Sequence, residues 1–460
     1  MKKSLIVLSL LTAAGIGFVN AQDKLLTIQE AVLKGRTSLA PKRLQSLGFI
    51  PSSNRLAYID KNELLIVDAA TGKVVSSLST VALNKNLAAG SLDTIPAFSG
   101  IKWKSANEFY YTSKKGEFLY AIDKKTASRS ERKTSDNSLE NLDEFKEGEI
   151  YAFVKDNNVY INLNNQVKQV TNDGSYEIAN GKSVHRDEFG IHKGTFWSPN
   201  GNALAYYRMD QSDVTDYPVI DWSVYPAQNK NIKYPMAGNK SHYVTLHVYD
   251  VKKGSSVQIK TEGPKDQYLT NVAWSPDEKK IYIAVLNRDQ NHYKLNEYNA
   301  ETGDFLRTLF DEKDDKYTEP QHPMLFVKNN PKQFIWQSRK DGFNHLYLYD
   351  ISGKLIRQLT KGNWEVKAEN GFDTKGENLF FHANEQKPVN QDFYSVNLKS
   401  GKITRLTKDD GFHTVMASEK GDYFIDNFTS CYVPREFRII DNKGKNSTIY
   451  KAESPVKEDK

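Results

Sequence analysis

Cysteine is nearly absent: Cys431 is the single one in 460 residues. A lone thiol cannot close an intramolecular disulfide, so stability must come from packing, and no Cys pair exists for a zinc site. Long apolar runs are scarce too. Beyond the first 21 residues nothing approaches the ~20 apolar residues of a membrane span. Charge of one sign is also lacking. The 63 basic and 57 acidic residues are interspersed and leave a net charge of +6, which describes a mildly basic soluble surface and argues against a nucleic-acid partner. Catalytic signatures are missing as well. No Gly-x-Ser-x-Gly occurs; "DGSYE" (173–177) and "KGSSVQ" (253–258) both lack the second glycine. Without the strained turn that exposes a serine oxygen beside its oxyanion donors, the hydroxyls are unactivated. His-Glu-x-x-His, a Gly-rich phosphate loop and an Asp-rich calcium loop are absent too. The residues therefore offer no catalytic group, no metal site and no cofactor site.

What is present begins at the N-terminus. Lys2 and Lys3 precede an apolar run from Leu5 that extends to Val19, and "VNA" ends at Ala21. This reads as a signal peptide over residues 1–21, with the mature chain starting at Gln22; an uncleaved anchor is the alternative, and no Cys follows for lipid attachment. The expectation is an exported protein, periplasmic or secreted.

Along the rest of the chain one pattern recurs. An apolar-aromatic strand meets a turn with Asp, Asn or Gly, and a second strand follows. Copies start at Leu64, Phe118, Asn158, Thr245, Lys294, His345 and Asp392, with a weaker one at Glu436. Alternation such as Leu346 and Leu348 against Tyr347 and Tyr349 has the period of a strand, and the turn residues suit hairpin loops. Most spacings lie between 40 and 54 residues. Eight multi-stranded units at that period predict an all-β fold, a β-propeller. "WSP" at Trp197–Pro199 and Trp274–Pro276 opens a turn between two further strands, and each Trp is expected to pack between blades. The gap between the third and fourth copies is 87 residues. It holds a polar, proline-bearing and aromatic insertion near 211–242, expected to be a loop or extended arm at a functional rim or interface, with no clean hairpin before Tyr243. Residues 22–450 form the propeller, and 451–460 read as a charged disordered tail.

The adjacent acids Asp187 and Glu188 stand just before a segment that reads as buried strand. Neighbouring carboxylates repel, so either they are solvated in a turn, with Arg186 pairing one of them, or a cation binds there. His185 and His192 flank the pair and read as solvated loop histidines; His247 and His345 sit on hairpin strands and read as structural.

"FWSPNGNALAYYRMDQSDVTDYP", "YPMAGNK", "SRKDGFNHLYLYD" and "GNWEV" occur in this order. They resemble the N-terminal β-propeller of dipeptidyl peptidase IV, most of all the exported bacterial members of that serine-peptidase family, from about residue 40 to about 440. The resemblance implies an eight-bladed β-propeller with four-stranded antiparallel blades. It also implies a partner α/β-hydrolase domain that carries the Ser, Asp and His of the triad on a Gly-Trp-Ser-Tyr-Gly elbow. That catalytic domain is expected to be missing from this chain, as a truncation or a split gene. Asp187 and Glu188 correspond to the acidic pair that binds the free α-amine of the peptide substrate in the family. The family's arginine for the substrate carbonyl has no counterpart, since the matching stretch offers Lys114 and Lys115. Propeller segments contribute to dimers in the family, so a homodimer is a further expectation. The reading from the resemblance is the propeller part of an enzyme that removes X-Pro or X-Ala dipeptides; the alternative is a non-catalytic propeller that binds peptides or protein. On either reading the purified chain should not turn over a chromogenic Gly-Pro substrate. Release of the chromophore would reveal a nucleophile outside the motifs above.

Overall fold

The computed structural model describes residues 26–98, 100–130, 136 and 138–455. The expected signal peptide lies outside the described residues. These form seven four-stranded antiparallel sheets, one five-stranded sheet and a separate two-stranded ribbon. Eight blades follow one another in sequence: 45–79, 102–129, 140–169, 178–258, 268–313, 325–358, 366–405 and 412–451. Each hairpin recognised by its alternation is the third and fourth strand of one blade, and each "WSP" turn joins a first strand to a second.

The strands of a blade differ in burial. The first strand of blade 5, Tyr268–Trp274, is buried at every position, whereas the fourth strand of blade 3, Gln166–Gln169, is exposed at every position. Fourth strands form the exposed edge of each blade, while first strands, which range from the buried one of blade 5 to the largely exposed Glu140–Lys146 of blade 3, stand at the opposite edge, toward the central channel. A blade has apolar side chains on both faces, and neighbours supply the cover. One cluster joins blades 4, 5 and 6 through residues such as Tyr207, Ile283 and Trp336. Another closes the ring, packing Leu56 and Val67 of blade 1 on Ile425, Phe437 and Ile439 of blade 8. Every blade is one continuous segment, so closure rests on this packing and not on a shared blade. Each fully buried side chain of this size contributes about 1.5–3 kcal/mol.

The tryptophans of the "WSP" turns do pack between blades, and each adds a directed bond. Trp197 Nε1 donates to the Asp143 carbonyl of blade 3 at 3.0 Å, and Trp274 Nε1 of blade 5 donates to the Phe196 carbonyl of blade 4, also at 3.0 Å. An α-helix, Thr80–Ala89, follows blade 1 and is capped by the Ser79 hydroxyl, which accepts from the Ala82 N–H; it buries Leu83 and Leu87 against blades 1 and 2.

Two expectations need correction. The insertion contains a clean hairpin: Asp216–Asp221 pairs with Gln228–Lys233 along the whole length. Its alternation is invisible because nearly every position on both strands is exposed, so no apolar face marks it. The stretch read as a tail begins inside the last strand, since Lys451 pairs with Glu436 and Ala452 is buried, its N–H donating to the Arg435 carbonyl. Residues 456–460 lie outside the described residues.

The inter-blade indole bond has a measurable consequence. Trp274→Phe removes the donor and leaves the Phe196 carbonyl with less than its full complement, so urea unfolding should show a loss of about 1–3 kcal/mol. An unchanged midpoint would mean that the bond adds nothing to blade 4–blade 5 packing.

Candidate functional site

Asp187 and Glu188 arise from an interruption in one strand. The first strand of blade 4 is split in two. Ile178–Asn180 pairs with Arg208–Asp210, and Thr195–Trp197 pairs with Leu204–Tyr206, on the same edge of the second strand. The other edge of that second strand carries Tyr243–Asp250. Residues 181–194 therefore leave and rejoin the sheet at its inner edge. Both ends of the excursion meet at Tyr207: the Gly181 N–H donates to the Tyr207 carbonyl (2.8 Å) and the Tyr207 N–H to the Gly194 carbonyl (2.9 Å). The neck is narrow enough to need Gly194, where a Cβ would lie 2.1 Å from the Lys182 carbonyl oxygen. Asp143 of blade 3 clamps the returning limb, its carboxylate accepting from Lys193 Nζ (3.0 Å) and Thr195 Oγ1 (2.8 Å).

The tip is a left-handed turn. His185, Arg186 and Asp187 have φ of 54, 60 and 61°, and Phe189 has 57°. Such a conformation costs non-glycine residues roughly 1–2 kcal/mol each, and clustered strain of this kind is a pointer to function. Several contacts hold it. Phe189 and Ile191 are buried in the large blade 4–6 core. Gly190, at φ 71°, passes so close to the loop before blade 6 that a Cβ would lie 2.0 Å from the Gln321 carbonyl oxygen.

His185 holds the turn from beneath. Read from the sequence as a solvated loop residue, it is 4% exposed. Its Nε2 accepts from the Leu269 N–H on the first strand of blade 5 (3.1 Å), and its own backbone N–H donates to His242 Nε2 (3.2 Å). The two rings stack with centroids 5.3 Å apart, and Tyr268 meets His185 edge-on at 5.0 Å. Burial, then the neighbouring His242 and Arg288, push the His185 pKa down. Burial, then Arg288 and Arg186, lower that of His242 to about 4. Both rings are neutral at physiological pH. His192, by contrast, is exposed, and His345 is a buried structural residue whose ring lies 3.0 Å from Thr360 Oγ1 and 2.9 Å from the Gly362 carbonyl.

Asp187 and Glu188 are both exposed. Asp187 accepts from the Ser183 hydroxyl and lines a polar cavity of about 380 Å³ with Asn141, Lys182, Arg186, Lys233 and His242. Glu188 lies outside that cavity, and among the described residues its carboxylate makes no hydrogen bond or ion pair. Among the described residues Arg186 pairs with no acid; its guanidinium lies over the Tyr234 ring at 4.6 Å. That contact ties the turn to the insertion, as does His242. Lys114 and Lys115 are not brought to the acid pair. Lys115 pairs with Asp93 (2.7 Å), and Lys114 lines a separate cleft of about 1350 Å³ between blades 1 and 2. Among the described residues no group of three or more His, Cys, Asp or Glu side chains could hold a metal ion. Sequence reasoning missed His185, His242 and Tyr234. The apolar flanks Val184 and Phe189 were the available signal that the segment between them is anchored.

Residues 100–435 match a family described as the dipeptidyl peptidase IV (DPP IV) N-terminal region. A crystal structure described as that of a dipeptidyl aminopeptidase IV from Bacteroides ovatus is similar at 33% identity and a TM-score of 0.79, over 94% of this chain and 63% of that one. That of Porphyromonas gingivalis dipeptidyl peptidase 4 shares the fold at 23% identity and a TM-score of 0.70, over 94% of this chain and 62% of that one. Dipeptidyl peptidase 4 of Trichophyton tonsurans is 25% identical over 93% of this chain and 57% of its own length. The chain spans about half the length of the curated relatives it matches.

The buried pair has a titration that can be read directly. A ring held neutral has its anchoring complete above the ordinary histidine pKa of 6.5, and the anchoring drains away as pH falls toward about 4. Proton NMR of the imidazoles should place the His242 midpoint near 4. A midpoint at or above 6.5 would contradict the buried, neutral ring.

Proposed function

Because the chain belongs to the dipeptidyl peptidase IV N-terminal region family, we propose that it is the propeller portion of an exported serine peptidase of that type. In this reading it gates access to the active site and anchors the N-terminal amine of a peptide from which an X-Pro or X-Ala dipeptide is removed. The observation that carries the reading is the split first strand of blade 4, which presents Asp187 and Glu188 from the inner edge of the blade on a strained turn.

The chemistry suits the residue types. An α-ammonium carries one positive charge and three donors, and a carboxylate accepts without donating. Charge-assisted hydrogen bonds are roughly twice as strong as neutral ones. At an effective dielectric of about 20, opposite charges about 4 Å apart attract by about 4 kcal/mol. Two adjacent acids offer the ammonium acceptor oxygens from two side chains. Fixing the amine fixes the distance to the second peptide bond, which is how an anchor becomes a dipeptide ruler. The nucleophile, base and orienting acid would come from an α/β-hydrolase domain. Peptides with a blocked N-terminus would be poor substrates, because the acetyl amide has no charge and one N–H donor in place of three.

A second reading has its own support. The ribbon arm exposes Ile220, Trp222 and Tyr225, the last two at 79% and 101% exposure. A surface of that composition suits a protein contact, such as a second copy of the chain. On this reading the propeller is a binding module.

The two separate in an assembly of the propeller with its hydrolase domain. Asp187→Ala and Glu188→Ala should raise KM for a Gly-Pro chromogenic substrate by about tenfold or more, the size of a lost charge-assisted contact. Unchanged kinetics would remove the amine anchor and leave the binding module.

A further inference from the structure

We propose that His185 and His242 are positioning residues for the acid pair: two rings, each locked in one tautomer by backbone donors, hold the left-handed turn so that Asp187 and Glu188 stand off the inner edge of blade 4. The inference rests on the amine-anchor reading for its purpose, but its geometry is independent of it.

The tautomers follow from the hydrogen bonds. The Leu269 N–H occupies His185 Nε2, so that nitrogen carries no proton and the ring proton of His185 sits on Nδ1. His185 Nδ1 lies 3.3 Å from His242 Nε2. The same Nε2 accepts the His185 backbone N–H at 3.2 Å, so it too is unprotonated. His242 Nε2 is thus an acceptor shared by two donors of one residue. Removing it strands a backbone N–H and an imidazole N–H in a buried place, at the first of the left-handed residues. The chain has few other ways to hold that residue. His185 is 4% exposed, so solvent can do little to replace the lost acceptor, and the cations nearest the pair, Arg288 and Arg186, offer donors and no acceptor.

The arrangement also joins three parts of the fold. Leu269 belongs to the first strand of blade 5, the acid turn to the interrupted strand of blade 4, and His242 to the end of the insertion that carries the exposed ribbon. Tyr234, on the same insertion, stacks on Arg186. The turn is therefore registered against the neighbouring blade on one side and the base of the arm on the other. His185 and His242 need not touch a peptide to decide where its amine is held.

The test uses the chain as it stands. Two quantities are read at neutral pH: amide exchange of residues 185–190, and affinity for the tripeptide Gly-Pro-Gly against its N-acetylated form. His242→Leu removes the acceptor, and His242→Gln restores it, since an amide oxygen at the position of Nε2 has two lone pairs. The expected result is that His242→Leu speeds exchange and loses about tenfold or more in affinity for the free-amine peptide. His242→Gln should keep both close to the parent. If His242→Leu does not fold, His242→Asn, whose oxygen falls one methylene short, supplies the same loss. Parent-like exchange in the Leu or Asn variant would overturn the inference, as would fast exchange with unchanged affinity, or a Gln variant no better than Leu. A parent chain that fails to distinguish the free from the acetylated peptide would defeat the amine-anchor reading instead, while the exchange data would still decide whether the two histidines hold the turn.

Discussion

A four-stranded antiparallel sheet with apolar side chains on both faces cannot bury either one by itself, and most of this structure follows from that constraint. Residues such as Ile281 and Ile283 of blade 5 or Leu346 and Leu348 of blade 6 are buried because another blade covers them. Eight sheets solve the problem by standing face to face in a ring. Closure depends on the same force, since Leu56 and Ile439 meet across the first and last blades with no strand exchanged between them. The arrangement also sorts the strands, leaving fourth strands at the solvated rim and first strands inside. Anything that departs from a first strand begins its path at the inner edge.

That is the significance of the interruption in blade 4. A loop added to a rim strand would reach solvent, whereas residues 181–194 start and finish on the inner edge and meet blade 5 on the way. Their tip adopts a backbone that L-residues resist. The opposing terms are visible: the burial of Phe189 and Ile191, the clamp from Asp143, and the bonds of His185 to Leu269 and His242. Strain that is so fully opposed is not an accident of a surface loop, and the two residues it displays are acidic.

The hairpins were legible because burial on both faces leaves its mark in alternating apolar and aromatic residues, and because turns announce themselves with Asp, Asn and Gly. Asp250 shows why: its carboxylate accepts from the Lys252 and Lys253 N–H groups, a use that few other side chains serve. The "WSP" tryptophans were legible for the same reason. Two features were not. The ribbon of 216–233 has no buried face, so its pairing left no periodic trace. His185 is buried by partners 57 and 84 residues away, His242 and Leu269, and a window of local sequence cannot hold them. Arg186 illustrates the same limit, since its partner is the Tyr234 ring and not the acid beside it. The acid pair itself stands out in the sequence only for its local repulsion, and the role proposed for it rests on the family likeness.

On the proposed reading the chain's chemistry is one of recognition: a ring for access, a turn for charge, and a neighbouring arm joined to that turn by His242 and Tyr234. The most direct test is a crystal structure of the chain with Gly-Pro-Gly bound. The account predicts the peptide's α-ammonium nitrogen about 3 Å from a carboxylate oxygen of Asp187 or Glu188. A peptide bound elsewhere, or at this turn with its carboxyl end toward the acids, would contradict it.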